Sequence, residues 1–575
     1  MADEPLAIRG IHWRQTFPFT HLFRGFRVAV HPSKMFLAMA MLILLYIGGC
    51  FLDLCWTTRS RAVGSEIADF ESYSHAPGGH TFDEHRRLVR QQVESEYAQL
   101  LLASKVETDP AAAAKDAERG SKLSDLKKKI IDDRNRAVSD ADTARKTALA
   151  KATGDSPAAV NARRAAEEDH DRAVRDVFAE ASSSYSAASA IRNFGLFDML
   201  FEYQSQQVNN VVRAVRSGNW SGEEAPEADA PLGSRTGHLL GGPGVVQSVV
   251  RFFTVAPLWL LTQHPLYFFL FGIYFLILWA VFGGAICRIA AVHVARDEKL
   301  SVRSALVFSA GKFLSFLCAP IIPLLIVGGI GLLVTLASLL GNIPGLGPVI
   351  MGLTFILALI AGVLMTVVLL GLIGGFNLMY PTIAVEGSDS FDAISRAFSY
   401  LYARPWRLAF YTAVSVVYGA VTYLFVRLFV YLTLVITHKF VALGLFVNGP
   451  STLPLLSAMW PSPETSARLS YDVDGLGLTG WQEFGAWLIW AWVHAFIAFL
   501  AAFVVCFYFS SNTIIYYLMR QEVDATDLDD VYLDQYDDEF ADPMPADPMP
   551  ADPAAPVVTA PTAPGGADAD VSPPT

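Results

Sequence analysis

The stretch RAFSYLYARPWRLAF, Arg396 to Phe410, has a counterpart near the other end of the chain, RGFRVAVHPSKMFLA, Arg24 to Ala38. Each reads Arg, a small residue, Phe, a short run, Pro, one residue and then Lys or Arg, and each leads into a long apolar segment. Before the second apolar segment, Phe391, Ile394, Phe398 and Leu401 form one stripe, with Asp389 and Ser390 placed to cap the helix start. The pattern predicts an amphipathic helix at a membrane surface, ended by Pro and followed by a base that meets anionic headgroups. Arg24, Arg27 and Lys34 in one copy, and Arg396, Arg404 and Arg407 in the other, are the expected membrane anchors. A weaker third copy is KLSVRSALVFSAGKFLSFL, with Ser301 as cap and Lys312 as anchor. The unit is then a surface helix plus a transmembrane hairpin, used three times. The alternative is that basic aromatic junctures resemble one another by chance.

Composition agrees with a membrane chain. Of 575 residues, 53% are hydrophobic and only 17% are charged, too apolar for a soluble protein. The net charge of −12 comes from residues 521 to 575, which hold 14 Asp and Glu and no Lys or Arg, so the rest sums to +2. That distribution gives no nucleic-acid-binding face. The five cysteines lie in or beside apolar segments without metal-ligand spacing, which argues against a zinc site or a disulfide framework.

A helix needs about 20 mostly apolar residues to cross a bilayer. Segments near 35–56, 266–290, 313–340, 346–376, 408–434 and 486–512 meet this, which gives about six spans. Basic residues cluster before the first span, after the second (Arg288, Arg296, Lys299, Arg303, Lys312) and after the fourth (Arg396, Arg404, Arg407), whereas GNIPGLG has none. The expectation is an all-α polytopic protein of a bacterial inner membrane with both termini cytoplasmic. Its divisions are a cytoplasmic N-terminal segment 1–34, a first span 35–56, an extracytoplasmic helical region 57–265, a membrane domain 266–520 and a disordered acidic tail 521–575.

Within the extracytoplasmic region the chain turns rich in Ala and charges. Pro110 and the breaker GDSP at 154–157 divide it into helices over 83–105, 110–152 and 157–188. Leu123, Leu126, Ile130, Ala137, Ala141, Ala144 and Ala148 predict a partly coiled-coil hairpin with Ala158, Ala165, Val174, Val177 and Ala181; the alternative is a solvated charged helix. Phe194, Phe197, Leu200, Phe201, Val208, Val211 and Val215 make an apolar face that covers the hairpin or lies on the bilayer, and VVQSVVRFFTVAPLWLL reads as interfacial. The tail repeat ADPMPADPMPADP cannot bury a core. Val531, Tyr532 and Tyr536 among acids read either as a docking peptide or as part of a solubilising tail.

The segment NLMYPTIAVEGSDSFDAISRAFSYLYARPWRL, with its break after the fourth span, its Val-Glu pair and its capped Ala-Ile-x-x-Ala helix, resembles uncharacterised bacterial multi-pass membrane families. It is similar in style to the membrane domain accompanying some glycerophosphodiester phosphodiesterases. The resemblance is confined to residues 266–520 and implies a six-helix integral membrane fold. No phosphodiesterase domain accompanies it here, so that activity is not implied.

The chain carries no Gly-rich phosphate loop, HExxH, GxSxG or Cys and His metal cluster, so no catalytic or metal-binding residues and no cofactor are expected. IGGC at 47–50 loosely resembles a lipoprotein box, but the apolar run continues through FLDLCW. Arg427 and His494 fall at similar depth in the last two spans, the one candidate intramembrane polar site; alternatively Arg427 snorkels to the headgroups. Asn377 beside Pro381 is expected to satisfy backbone at a helix break, and Gly283, Gly284, Gly371 and Gly375 to be close-packing points. The expected function is a non-enzymatic membrane scaffold whose partners are lipids and proteins met by the helical region and the tail. The rival is a transporter or lipid-handling protein with a cavity between the hairpins. The Ala-rich region makes a first prediction: the isolated segment 83–190 gives a predominantly helical circular dichroism spectrum, and a random-coil spectrum would leave only the solvated-chain alternative.

Overall fold

The computed structural model describes residues 17–56, 66–75, 82–117, 121–154, 156–190, 195–220, 244–445, 455–460, 462–463 and 480–532. These residues form helices and no strands. After a short elbow, Pro18–Arg24 and Gly25–Ala29, come α1 (Pro32–Cys55), α2 (Glu66–His75), α3 (Phe82–Ala103), α4 (Pro110–Ala117), α5 (Leu123–Lys151), α6 (Pro157–Ala190), α7 (Leu196–Ser217) and α8 (Val245–Gln263). They are followed by α9 (Pro265–Arg296), α10 (Val302–Gly311), α11 (Phe313–Ser338), α12 (Gly347–Glu386), α13 (Ser390–Ala403), α14 (Pro405–Gly444) and α15 (Gly480–Asp524). The tandem tail repeat, Phe194 and Tyr536 lie outside the described residues.

Among the described residues seven helices are long and apolar enough to cross a membrane: α1, α8, α9, α11 with its short extension to Asn342, α12, α14 and α15. The sequence reading named six of them; the seventh is α8. It pairs antiparallel with α7, where Gln204 donates to the Phe252 carbonyl at 2.9 Å and Val245 N to the Asn219 carbonyl at 3.2 Å. At its other end it breaks at His264, immediately before Pro265 opens α9.

The echo in the sequence corresponds to a repeated shape. Pro32 and Pro405 each stand in the first turn of a long helix, with His31 and Arg404 as the preceding caps. Proline suits that position because its missing N–H has no intrahelical partner there. It therefore opens the span rather than merely ending the surface helix. The third unit has its cap too, since Ser301 Oγ accepts from Ser304 N at 3.1 Å before α10 turns into α11. The N-terminal copy meets the copy at 396–410 and its span: Phe19 packs edge-on against Phe410 at 5.8 Å, and Tyr418 donates to the Phe23 carbonyl at 3.0 Å.

The core lies at the end of the bundle where these short helices sit. Residues 283–292 of α9, 378–385 of α12 and 509–519 of α15 are continuously buried. Glycine allows this density. A Cβ at Gly283 would overlap Phe509, one at Gly284 would overlap Ser309 and Phe316, and one at Gly371 would overlap Phe398, as the close-packing expectation required. A π-turn in α9 over Trp279–Gly283 leaves carbonyls that Ser309 Oγ satisfies, at 3.1 Å to Ala280 and 2.7 Å to Val281. Towards the opposite end α11 and α12 pair chiefly with each other, and residues such as Leu332, Leu333, Leu353, Leu357 and Val363 are exposed.

Three details differ from the sequence reading. The helix α12 runs through Pro381 unbroken, and Asn377 accepts from the Tyr508 hydroxyl at 2.7 Å instead of serving a break. The hairpin of α5 and α6 forms, but Ala158 and Ala165 face outward. Arg163 turns in to donate to the Ala152 and Gly154 carbonyls, and His170 meets Asp142 at 2.8 Å, so polar bonds set the register where alanine is too small to do so. On α7 the buried face is Leu196, Phe197, Met199, Tyr203, Gln207 and Ala214, while Phe201 is exposed.

The contact of α7 with α1 depends on Gly49, whose Cβ position is filled by the Phe197 ring. Gly49→Val should cost about 1–3 kcal/mol by overpacking and raise protease sensitivity of the region between α1 and α9, whereas Gly272→Val, which faces open space, should leave both unchanged. Limited proteolysis with thermal unfolding reads the difference.

Candidate functional site: two polar junctions

Asp53, near the end of α1, is buried. Its carboxylate accepts from the backbone amides of Phe197 (3.0 and 3.1 Å) and Asp198 (3.3 Å) at the start of α7, and from the Tyr267 hydroxyl at 2.7 Å at the start of α9. A helix start leaves amides unsatisfied and favours a negative charge. Here the local cap, Gly195, has no side chain, and a Cβ there would overlap the Asp53 carboxylate. An acid from a distant helix thus does the capping and ties α1, α7 and α9 together.

Around this joint lies a second set of polar contacts. Glu66 on α2 is buried, accepts from Trp259 Nε1 at 3.2 Å and pairs with Arg86 at 3.2 Å. Glu71 pairs with Arg251 at 2.5 Å and accepts from the Tyr203 hydroxyl at 3.5 Å. His264 stands 4.0 Å from Glu66, yet burial and the positive Arg86 push its imidazole down to about 4, so it is neutral at neutral pH. A cavity of about 10 Å³, one water in size, lies among Glu66, Asp69, Phe82, His85, Arg86 and Val89.

The second junction is at the dense end of the bundle and centres on Glu386, the last residue of α12. Arg396 reaches it at 2.8 Å and Arg520 at 3.4 Å, and the Tyr516 hydroxyl donates to it. Arg396 also pairs with Asp392 at 3.2 Å and Asp524 at 3.9 Å. The Tyr400 hydroxyl donates to Asp524, and burial together with that carboxylate raises its pKa. Nearby, Glu522 accepts from Tyr411 and pairs with Arg407.

Just beyond α15 the chain folds back over this junction. Arg520 holds Asp530 through the carboxylate at 2.7 Å and the carbonyl at 2.8 Å, Val531 is buried, and Tyr532 N donates to the Val385 carbonyl at 2.8 Å. The Tyr532 ring lies where a Cβ at Gly387 would be, and Gly387 itself has φ +64°, a left-handed helix cap that suits glycine. The acidic segment therefore does not leave the body at 521; its first residues, to 532, pack against α12 and α15.

Of the expected anchors, Arg396 and Arg407 belong to this junction, each engaged by carboxylates. Arg404 and Arg27 are exposed and Arg24 is half-buried. Lys34 is a correction: expected at the headgroups, it is fully buried, because α9 and α15 pack against the start of α1. Lys312 donates to the Gly387 carbonyl at 2.5 Å, a helix-end contact. Arg427 donates to Tyr423 at 3.0 Å and to Asn209 of α7 at 3.2 Å, and His494 bonds the Trp490 carbonyl at 2.9 Å. Sequence reasoning missed Asp53, Glu386 and Arg520. Their one signal was an acid or a base at the edge of an apolar run, which reads equally as ordinary helix flanking.

Among the described residues no group of His, Cys, Asp and Glu is arranged to hold a metal ion. No protein family, curated protein or solved structure matches the chain.

Removing one partner of a buried ion pair typically costs about 3–5 kcal/mol, against about 0–1 for an exposed pair. Glu386→Gln should accordingly lower the thermal midpoint of the protein in detergent well below that of Asp530→Asn, whose carboxylate is exposed at 59%. Equal effects would remove Glu386 from the centre of the junction.

Proposed function

We propose that this chain is a non-enzymatic integral membrane scaffold or interaction protein that presents a helical domain on one face of a membrane and an acidic tail on the other. The observation that carries the reading is the pair of polar junctions. One ties the helical region to α1 and α9 through Asp53, and the other ties the start of the tail to α12 and α15 through Arg520 and Tyr532. Buried polar contacts of this kind fix the angle at which appended elements leave a bundle.

The orientation that goes with this reading has six crossings, both termini in the cytoplasm and α8 lying along the outer surface. Supporting it are the basic flanks around the elbow, α10 and α13. The level of Asp53 and Tyr267 supports it too, since their bond sets the break before α9 beside the far end of α1, with α8 on the same side as α2 and α7. The described part of the helical domain, α3 to α6, is long, charged and Ala-rich, a composition for surface contact. The rival is a transporter or lipid-handling protein. It is favoured by the exposed apolar halves of α11 and α12, which pair with each other away from the core and offer a wide lateral surface to acyl chains.

Two measurements test the proposal. With the native cysteines replaced, Ser121→Cys should react with an impermeant thiol reagent in intact cells and Ser399→Cys should not; the reverse pattern sinks the orientation. Affinity capture in mild detergent should then recover a stoichiometric protein partner that is lost when residues 83–190 are deleted, whereas stoichiometric bound lipid without a protein partner would favour the rival.

A further inference from the structure

Lys34 is a buried cationic side chain with no role in either junction. It lies in the first turn of α1, is 0% exposed, and its Nζ has no hydrogen-bond partner among the described residues. The helix α1 packs against α9, α10 and α15. The groups these bring near the amine are Cys506 from α15, Cys287 and His293 from α9, and His31 from its own cap. Farther out are Arg27 of the elbow, Asp297 and Lys299 of the loop after α9, and the exposed Arg303 of α10. The one carboxylate of this set, Asp297, pairs with His293 at 3.4 Å.

An ammonium in this setting lacks both acceptor and counter-ion, an arrangement proteins avoid by keeping the group neutral. The packed bundle thus holds Lys34 as an amine with an unused lone pair. A proton is the one ligand that such a closely packed position can accept without a cavity. Just before the first turn of α1 stand the rings of His31 and His293, edge to face at 5.5 Å, with His31 Nδ1 buried and without a hydrogen-bond partner among the described residues. An ionisable side chain enclosed within a membrane bundle is a functional-site hypothesis by default.

We propose that Lys34 is a proton-binding site of the membrane bundle, loaded past the paired imidazoles of His31 and His293. An imidazolium passes its proton to the lone pair of Nζ, giving an ammonium and a neutral imidazole, which takes a new proton from water. The ammonium then has no acceptor in place, so the loaded state is a second arrangement in which the foot of α1 shifts from α15 towards water. That the proton arrives from the cytoplasm depends on the orientation proposed above; the binding itself does not, and its test is independent of sidedness.

The sign follows from proton counting. The packed state binds one proton fewer than the unpacked chain, so stability rises with pH and is lost as pH falls. The test uses the full chain in phosphatidylcholine nanodiscs, with thermal unfolding followed by circular dichroism over about pH 7.5–9, above the ordinary histidine range. Wild type should lose up to about tenfold in its folded-to-unfolded ratio for each pH unit lowered. Lys34→Met should abolish that slope and be the more stable protein at the lower pH. Cys506→Asp, which supplies a counter-ion and keeps the amine charged, should also flatten it, so the test survives if either variant fails to fold. A wild-type slope retained in either folded variant would overturn the proposal.

Discussion

The buried carboxylate of Glu386 is the contact on which the dense end of this bundle depends. It ends a helix whose terminal turn would otherwise expose carbonyls inside protein, and it draws in Arg396 from α13 and Arg520 from α15. The cost of desolvating Glu386 and Arg520 is offset because each has several partners, among them the Tyr516 hydroxyl for Glu386 and Asp530 for Arg520. The same turn is closed by Lys312 on the Gly387 carbonyl and by Arg288, fully buried, on the Ala384 carbonyl with its guanidinium 4.4 Å over the Phe308 ring. Four bases from four segments thus converge on one helix end, and the short helices α10 and α13 are held where Lys312 and Arg396 require them.

Asp53 solves the corresponding problem at the opposite end of α1. There the unsatisfied groups are amides, at the start of α7, and the solution is an acid where the dense end uses bases. Because the acid belongs to a different helix from the amides, the helical region cannot swing about its connection without breaking the cap and the Tyr267 bond together. Arg427 adds a second hold on α7 through Asn209, farther along the same helix. Asp53 and Arg427 thus hold α7 to the bundle at two points.

The two ends differ in density for a reason visible in the residues. At one end Gly283, Gly284, Gly371 and Gly375 let helices approach closely, and Ser309, Thr382 and Thr513 satisfy carbonyls within the packing. Away from it, α11 and α12 carry branched and long aliphatic residues around their whole circumference, and glycines such as Gly328, Gly329, Gly352 and Gly362 meet no neighbour. A helix apolar on every side has no preferred face for protein, so its environment there is set by whatever surrounds the bundle.

Periodicity and composition by themselves determined the helical class, the positions of six of the seven long apolar helices, the helical hairpin and the repeated elbow. These are local properties, because hydrophobic runs, Pro at a first turn and Ser or Asp at a cap act within a few residues. The sequence could not say that Lys34 turns inward while Arg404 stays out. Both are bases beside a Pro at the start of a span, and burial is decided by which helices pack over them. Nor could it single out Asp53, Glu386 and Arg520, which are joined to other helices, Asp53 to α7 and α9 and Glu386 to Arg520 across long stretches of chain. Only the tertiary structure decided those pairings, because a charge at the end of an apolar helix has no partner until the helices around it are assembled.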